Sequence, residues 1–466
     1  VTALKYRPDW IILLSLLLAA GCASSPEQAP TPDIQEPPEW TAGPIGVEGT
    51  PEAWLQDFED PILTALVQEA LVNNADLKST AAKFDQSIAE ARIAGADRRP
   101  SAGLGLNGTR QKISTFGPTS TGGVRFENYN LSLDVSWELD LWGRLFDRTS
   151  AAIAQAEASQ AELEAARMSL AAQVARAWFN YKAAAEQLAL ATRTAETYIE
   201  NLKTGEARFR KGLSEGINLR RTRTQKASAI ADVATRKRTL DRAARALEVL
   251  LGRYPAASLG SGTGLPELPA AIPTGLPSDL LNRRPDLIAA ERRLAAADKE
   301  LLASKKERLP KISLTASGGS SSQEFKNLLD SNFSVWSLGA NLAQPIFQGG
   351  RIRAGIDRRA ALRDQTLANY RATALRAFLE VESTLAAESF LKHEQTQLYL
   401  AASEAAAAEK LAKKGYYNGT SEFIVWLDAQ RTADSVNSRL IATRNLLLQN
   451  RVDLYLALGG PFLVEP

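Results

Sequence analysis

The 466 residues carry 55 basic and 53 acidic side chains, a formal net charge of +2, so there is no bulk electrostatic argument for a nucleic-acid partner. One Cys and one His exclude an all-protein Cys/His zinc cage and any intramolecular disulfide. Histidine-dependent catalysis would rest on His393 alone, in the polar run Lys392-His393-Glu394-Gln395, which reads as a solvated helix face.

In chain order, Lys5 and Arg7 precede an apolar run over 10–20 that is too short to span a bilayer as a helix. Ala19-Ala20-Gly21 then lead to Cys22. The pattern reads as an export signal over 1–21. Its end resembles a bacterial lipobox, with Cys22 taking a covalent lipid, although Ala19 stands where such signals usually carry Leu. Lipidation would also consume a thiol that is otherwise a liability in an oxidising compartment. Residues 22–53 are proline-rich (Pro26, Pro30, Pro32, Pro37, Pro38, Pro44, Pro51) and read as an extended tether. No later segment is long and apolar enough for a spanning helix, so further membrane contact must use strands.

From Trp54 the pattern turns helical. Phe58, Ile62, Leu63, Leu66 and Val67 keep helical spacing behind the start signal Asp60-Pro61, and a second helix over 76–98 stops before Pro100. Then the period changes. Leu131, Leu133, Val135, Trp137 and Leu139 alternate with polar residues, predicting a strand whose partner is 101–112. Ile312, Leu314 and Ala316, then Trp336, Leu338, Ala340 and Leu342, repeat the alternation around a loop at 322–332. Strands of about 10–12 residues match the roughly 9–11 that cross a bilayer obliquely. Phe126, Tyr129, Trp137, Phe333 and Trp336 would suit aromatic girdles, but a soluble sheet favours the same residues. Both readings stay open on pattern alone.

Gly143-Arg144 and Gly350-Arg351 open two alanine-rich helices predicted to run to about 203 and about 413, rods on the order of 90 Å. Beside each, a short helix of about 21 residues and a later one of about 35 to 39 would stack to nearly the same length. These parts recur. Asp76-Leu77 and Pro100 return 210 residues later as Asp286-Leu287 and Pro310, and Val174, Gly212 and Leu251-Gly252 return 207 residues later as Val381, Gly419 and Leu458-Gly459. We read one unit used twice, over 54–252 and 285–460, joined by a linker over 253–284 and followed by a tail over 461–466. Four membrane strands cannot close a barrel, and an open edge in lipid costs several kcal/mol per unsatisfied group. Two copies would give eight strands with a filled interior; three would give twelve and a lumen.

Phe58-x-Asp60-Pro61, Asn73-Asn74-x-Asp76-Leu77, Trp137-Glu138-Leu139-Asp140-Leu141-Trp142-Gly143-Arg144 and Arg283-Arg284-Pro285-Asp286-Leu287 resemble the outer-membrane factors of Gram-negative bacteria. The combination is similar to the NodT branch, lipid-anchored relatives of TolC and OprM. The resemblance implies a mainly α chain with a membrane β-barrel part, a homotrimeric channel-tunnel with a 12-strand β-barrel and a 12-helix α-barrel. It implies the exit duct of a tripartite efflux or type I secretion machine, with a periplasmic adaptor and an inner-membrane pump as partners, and no enzyme activity or cofactor beyond the lipid on Cys22. It also implies adaptor docking at Gly212, Leu213, Ser214, Gly419, Thr420 and Ser421. A periplasmic gate follows at Asp428, Ile424, Tyr416 and Asn218, the last two matching residues that hydrogen-bond helices closed. Val425 and Asn218 replace carboxylates of other members, so this gate should be less charged. Arg208, Arg210, Lys211, Arg220, Arg221 and Arg223 read as a solvated basic face near the turns. The repeat further pairs Arg98 and Arg99 before Pro100 with Lys305, Lys306 and Arg308 before Pro310, a basic collar at the barrel's inner mouth suited to lipid headgroups or anionic cargo. The rival reading is a lipid-anchored periplasmic coiled-coil scaffold. It gives no reason for bilayer-length strands or matched rods.

Overall fold

A computed structural model describes residues 40–42, 53–114, 123–260, 264–272 and 277–462, which fall in one compact unit, Glu36–Pro466. The export signal, Cys22 and most of the tether lie outside the described residues. Helices α1 (Pro61–Asn73) and α2 (Ala75–Ala96) lead to strands β1 (Ser101–Ile113) and β2 (Val124–Leu139). Next come α3 (Arg144–Arg210) and α4 (Gly216–Leu250), then the single turn α5 (Leu280–Arg283). The second copy is α6 (Pro285–Lys306), β3 (Lys311–Ser322), β4 (Ser334–Ala343), α7 (Arg351–Asn418) and α8 (Phe423–Ala457). No described helix is long and apolar enough to cross a membrane.

The two long helices have 67 and 68 residues, about 100 Å at about 1.5 Å rise. They run past the expected ends at 203 and 413, because 204–210 and 414–418 contain no helix breaker other than Gly205 and Gly415, which are tolerated inside helices this long. The shorter partners have 22 and 35 residues in both copies. Helix α3 packs against α2 and α4 on one side and α6 and α8 on the other, while α7 packs on α6 and α8. The protomer is therefore a row of four rods: α2 with α4, α3, α6 with α8, and α7.

One junction chemistry, used twice, joins each stacked pair. Asn74 caps α2 by accepting Leu77 N–H at 3.0 Å, and its amide donates to the Leu250 carbonyl at the end of α4 at 3.0 Å. Its repeat equivalent Arg284 donates to the Ala457 carbonyl at the end of α8 at 3.1 Å and to Asp286. Gly252 and Gly459, at φ +74° and +68°, end α4 and α8 in the left-handed region. A Cβ on Gly252 would lie 2.9 Å from the Asn73 carbonyl, so the repeated Leu-Gly motif lets one helix end butt against the next helix start.

The linker is pinned across the rods. Tyr181 of α3 donates to the Leu259 and Gly260 carbonyls, and Glu248 of α4 accepts the Ala257 and Ser258 N–H groups at 2.7 Å. Arg451 of α8, fully buried, chelates Glu388 at 2.7 and 2.9 Å and donates to the Pro269 carbonyl at 2.8 Å. Upstream, Trp54 stacks on Tyr455 and Phe58 packs on Phe179, fixing the chain entry to α1. Asp60 caps α1 through the Ile62 and Leu63 N–H groups and, buried, takes Lys182 and the Trp178 indole at 2.8 Å each.

The strands form an antiparallel meander in the order β1-β2-β3-β4, the same left-to-right order as the rods. Ser101 pairs with Ser136 in the first hairpin and Lys311 with Ala343 in the second, so the two registers coincide under the repeat offsets. Neither β1 nor β4 has a second neighbour among the described strands.

Candidate functional site

Two surfaces carry the chemistry, the sheet and the hairpin ends of the rods. Directly paired residues of a sheet share a face. Leu104 pairs with Leu133, Leu106 with Leu131, Trp137 with Leu314, Val135 with Ala316, which pairs in turn with Leu338, and Ile312 with Leu342. The apolar residues of all four strands therefore make one continuous outward face, and the chain does not cover it: Leu104 is 77% exposed and Leu338 75%. The opposite face carries Ser132, Asp134, Ser136, Thr315, Ser317 and Asn341, with Asp134 accepting hydrogen bonds from Ser132 and Ser317 at 2.7 and 2.6 Å. An apolar wall backed by a polar one is the pattern of a lipid-facing sheet around water. A soluble sheet would bury one face, which decides between the readings the pattern left open.

Of the aromatic residues expected at the girdles, Trp336 is exposed on the apolar face and Tyr129 packs edge-on against Phe325 at 5.7 Å, whereas Phe126, opposite Gln111, falls on the polar face with Ser132 and Asp134 and so does not face lipid. At the other end of the sheet, Arg98 lies over the Phe146 ring at 5.1 Å while its carbonyl accepts the Trp137 indole. Lys306 is held by Asp147 and the Gly143 carbonyl, at the start of α3. Arg99 and Arg308 are exposed, Arg308 turning back to the Lys305 carbonyl, and Lys305 is half-buried. Two of the five expected collar cations, Arg98 and Lys306, thus hold against the start of α3.

At the far ends of the rods, Gly212 and Gly419 sit at φ +71° and +75°, closing tight turns through Leu213 N–H to the Arg208 carbonyl and Thr420 N–H to the Gly415 carbonyl, both 2.9 Å. Leu213, Gly419 and Thr420 are exposed and Ser214 and Ser421 half-exposed, so both turns present accessible edges. Just inside them, Ala195 and Tyr198 of α3, Ala229 of α4, Tyr416 of α7, and Phe423, Trp426 and Leu427 of α8 form one core. Tyr416 lies 5.3 Å from Phe423 and 5.4 Å from Trp426 between ring centroids, and Arg208 covers its outer face at 4.7 Å. Burial raises the Tyr416 phenol above its ordinary range and pushes Tyr198 up to about 12.

Tyr416 is thus a packing centre. Among the described residues, neither its hydroxyl nor the Asn218 amide makes a side-chain hydrogen bond to another rod, and Asn218 sits half-buried in the first turn of α4. Ile424 and Asp428 lie one turn apart on the exposed side of α8, away from Trp426, Leu427 and Gln430. Arg208 departs from the solvated basic face expected for it, and Arg223 pairs with Glu206 at 3.0 Å. The sequence signal for this core was the i, i+3, i+4 spacing of Phe423, Trp426 and Leu427, which periodicity alone assigns to generic packing.

A family model described as outer membrane efflux protein matches residues 66–253 and 276–460. The chain belongs to that family. The toluene efflux pump outer membrane protein TtgC of Pseudomonas putida is 32% identical over 463 residues, covering 96% of this chain and 95% of the relative. Outer membrane protein OprJ of Pseudomonas aeruginosa is 34% identical over 418 residues, with 87% and 86% covered. Among solved structures, the outer-membrane channel OprN superposes with a TM-score of 0.87 at 28% identity, covering 95% of this chain and 100% of that one. The protein is an outer-membrane channel component with the TolC-like fold and not an enzyme.

Proposed function

We propose that three copies of this chain close into the outer-membrane exit duct of a tripartite efflux machine, passing small organic molecules from an inner-membrane pump and periplasmic adaptor to the exterior. A relative named for toluene efflux supports that cargo class. The lipid on Cys22 is part of the proposal, tested by loss of palmitate labelling in Cys22→Ser.

The observation that supports closure between copies is the register, and the need for a lumen, which eight strands would fill, sets the number at three. The contact between copies one and two inside the chain, β2 against β3, supplies a template for β4 against β1 of the next molecule. Transposing Asp134 opposite Ser317 and Val135 opposite Ala316 by the repeat offsets puts Asn341 opposite Asn107 and Leu342 opposite Leu106. This register keeps apolar residues on the outward face. It also brings Ile346, 89% exposed, beside Ala102 of the neighbour. In membranes, the Asn341→Cys/Asn107→Cys variant should form oxidant-dependent covalent trimers, whereas Asn341→Cys/Thr109→Cys should not. Cross-linking only in the shifted pair, or in neither, would reject this seam.

We further propose that the Tyr416 core holds the tips of the inner hairpins together, with Ile424 and Asp428 facing the aperture and the exposed turns receiving the adaptor. Truncating a buried aromatic removes about 3–5 kcal/mol of packing. Tyr416→Ala should therefore raise single-channel conductance and sensitise cells to antibiotics too large for an intact outer membrane. Tyr416→Phe, which keeps the ring, should match wild type. A conductance change in the Phe variant would return the role to the hydroxyl.

A further inference from the structure

The outward face of the first hairpin changes chemistry toward its loop. Continuing the register past Leu106 opposite Leu131, Gly108 faces Tyr129, Arg110 faces Glu127 and Lys112 faces Arg125, all on the apolar side of the sheet. The Tyr129 ring lies across Gly108, 3.2 Å from where a Cβ would stand, and meets Phe325 from the second hairpin. These two rings mark the upper border of the apolar band. Above them Arg110 pairs with Glu127 at 2.8 Å, while Lys112 and Arg125 are exposed and oppose one another directly. Like charges facing across a ladder repel unless an anion lies between them.

The position matters as much as the charge. Lys112 and Arg125 lie about 13 Å along the strand beyond the Gly108–Tyr129 rung, at about 3.3 Å per residue. With strands tilted roughly 40°, that is about 10 Å above the hydrocarbon edge, at the outer margin of the roughly 5–8 Å headgroup layer, the level of a phosphate carried on a sugar headgroup. This end of the sheet is opposite the helices, so it faces the outer leaflet if the channel reading, on which this inference rests, is right.

We propose that Lys112 and Arg125, the two cations of this face left over once Arg110 pairs with Glu127, and bordered by Tyr129 and Phe325, form a binding site for the phosphate of an outer-leaflet phosphorylated glycolipid, one site per copy. The guanidinium of Arg125 supplies a planar fork for two phosphate oxygens and Lys112 a point charge. Tyr129 and Phe325 lie against the start of the acyl chains. The surface fits a phosphate borne on a lipid better than a free anion, because the cations are continuous with the apolar band.

The test uses purified full-length protein in phosphatidylethanolamine nanodiscs containing either bis-phosphorylated lipid A or the same glycolipid after enzymatic dephosphorylation. Retained glycolipid is read by native mass spectrometry. Wild type should retain the phosphorylated form, and Lys112→Gln/Arg125→Gln should retain it about 10- to 30-fold less, as two basic residues at a charged surface predict. Lys237→Gln/Arg238→Gln, which removes the same charge from α4, should behave as wild type. Equal retention by the Lys112/Arg125 variant, or equal retention of the dephosphorylated glycolipid, would overturn the site. Displacement by millimolar inorganic phosphate would show an ordinary anion site and overturn the lipid assignment. Heat-modifiable migration is scored on the same samples: absence of a trimer band rejects the channel reading, whereas a trimer that retains no phosphorylated glycolipid rejects only this inference.

Discussion

Leu133→Arg should abolish stable assembly in the outer membrane, while Ser136→Arg, three residues along the same strand, should assemble and alter conductance. Leu133 is 52% exposed on the apolar face, opposite Leu104 and Gly318 near the middle of the band. An arginine facing lipid at mid-depth costs about 2–4 kcal/mol, and a trimer would carry it three times, about 6–12 kcal/mol in all. That is comparable with the whole stability of an ordinary domain, about 5–15 kcal/mol. Ser136, opposite Ser101 and Thr315, lies on the polar face, where water solvates the guanidinium. Heat-modifiable trimer in outer-membrane fractions is the readout. Equal tolerance of both arginines would mean that the apolar face does not meet lipid.

Asp60→Ala should be the most damaging substitution away from the sheet, destabilising the protomer by about 3–5 kcal/mol, the cost of stranding a buried partner charge. The carboxylate caps α1 and holds Lys182 of α3, itself buried, and the Trp178 indole. Lys182→Met in the same background should recover much of the loss, which separates the stranded charge from the missing cap; no recovery would assign the damage to the cap. Burial pushes the Asp60 carboxyl up, but its hydrogen bonds to Lys182, Trp178 and the Leu63 N–H outweigh burial and leave it below the ordinary carboxylate range. With a folded pKa below the unfolded value of about 3.9, its stabilisation is fully present above that value and lost as pH falls through the depressed one. Trimer melting in wild type should hold down to about pH 4 and fall below it, and Asp60→Asn should make that fall shallower, leaving the part due to Glu388, whose carboxyl, against its burial, the Arg451 and Lys392 charges also hold low.

Much of this architecture was legible in the chain. Asp60-Pro61 marked a helix start, the alternation around Leu133 marked a strand with two unlike faces, and Gly143 and Gly350 marked the starts of the long helices. The junction residues were hidden for a physical reason. Asn74 and Arg284 differ chemically, one an amide and one a guanidinium, yet each donates to the last carbonyls of a helix more than 170 residues away. Sequence identity across the repeat could not reveal a hydrogen-bond role shared by unlike side chains. Arg208 was hidden in the same way, since a cation in a basic run looks solvated until the Tyr416 ring is placed beneath it.

The sequence by itself determined the repeat, the strand faces and the near-equal rod lengths, because periodicity and helix rise are local properties of the backbone. Only the tertiary structure decided that both hairpins share one register, that the rods and strands follow one order, and that the apolar face stays uncovered. Those facts depend on which residues meet across the chain. Pairing partners are chosen by packing and hydrogen bonding between distant segments, which no local pattern specifies.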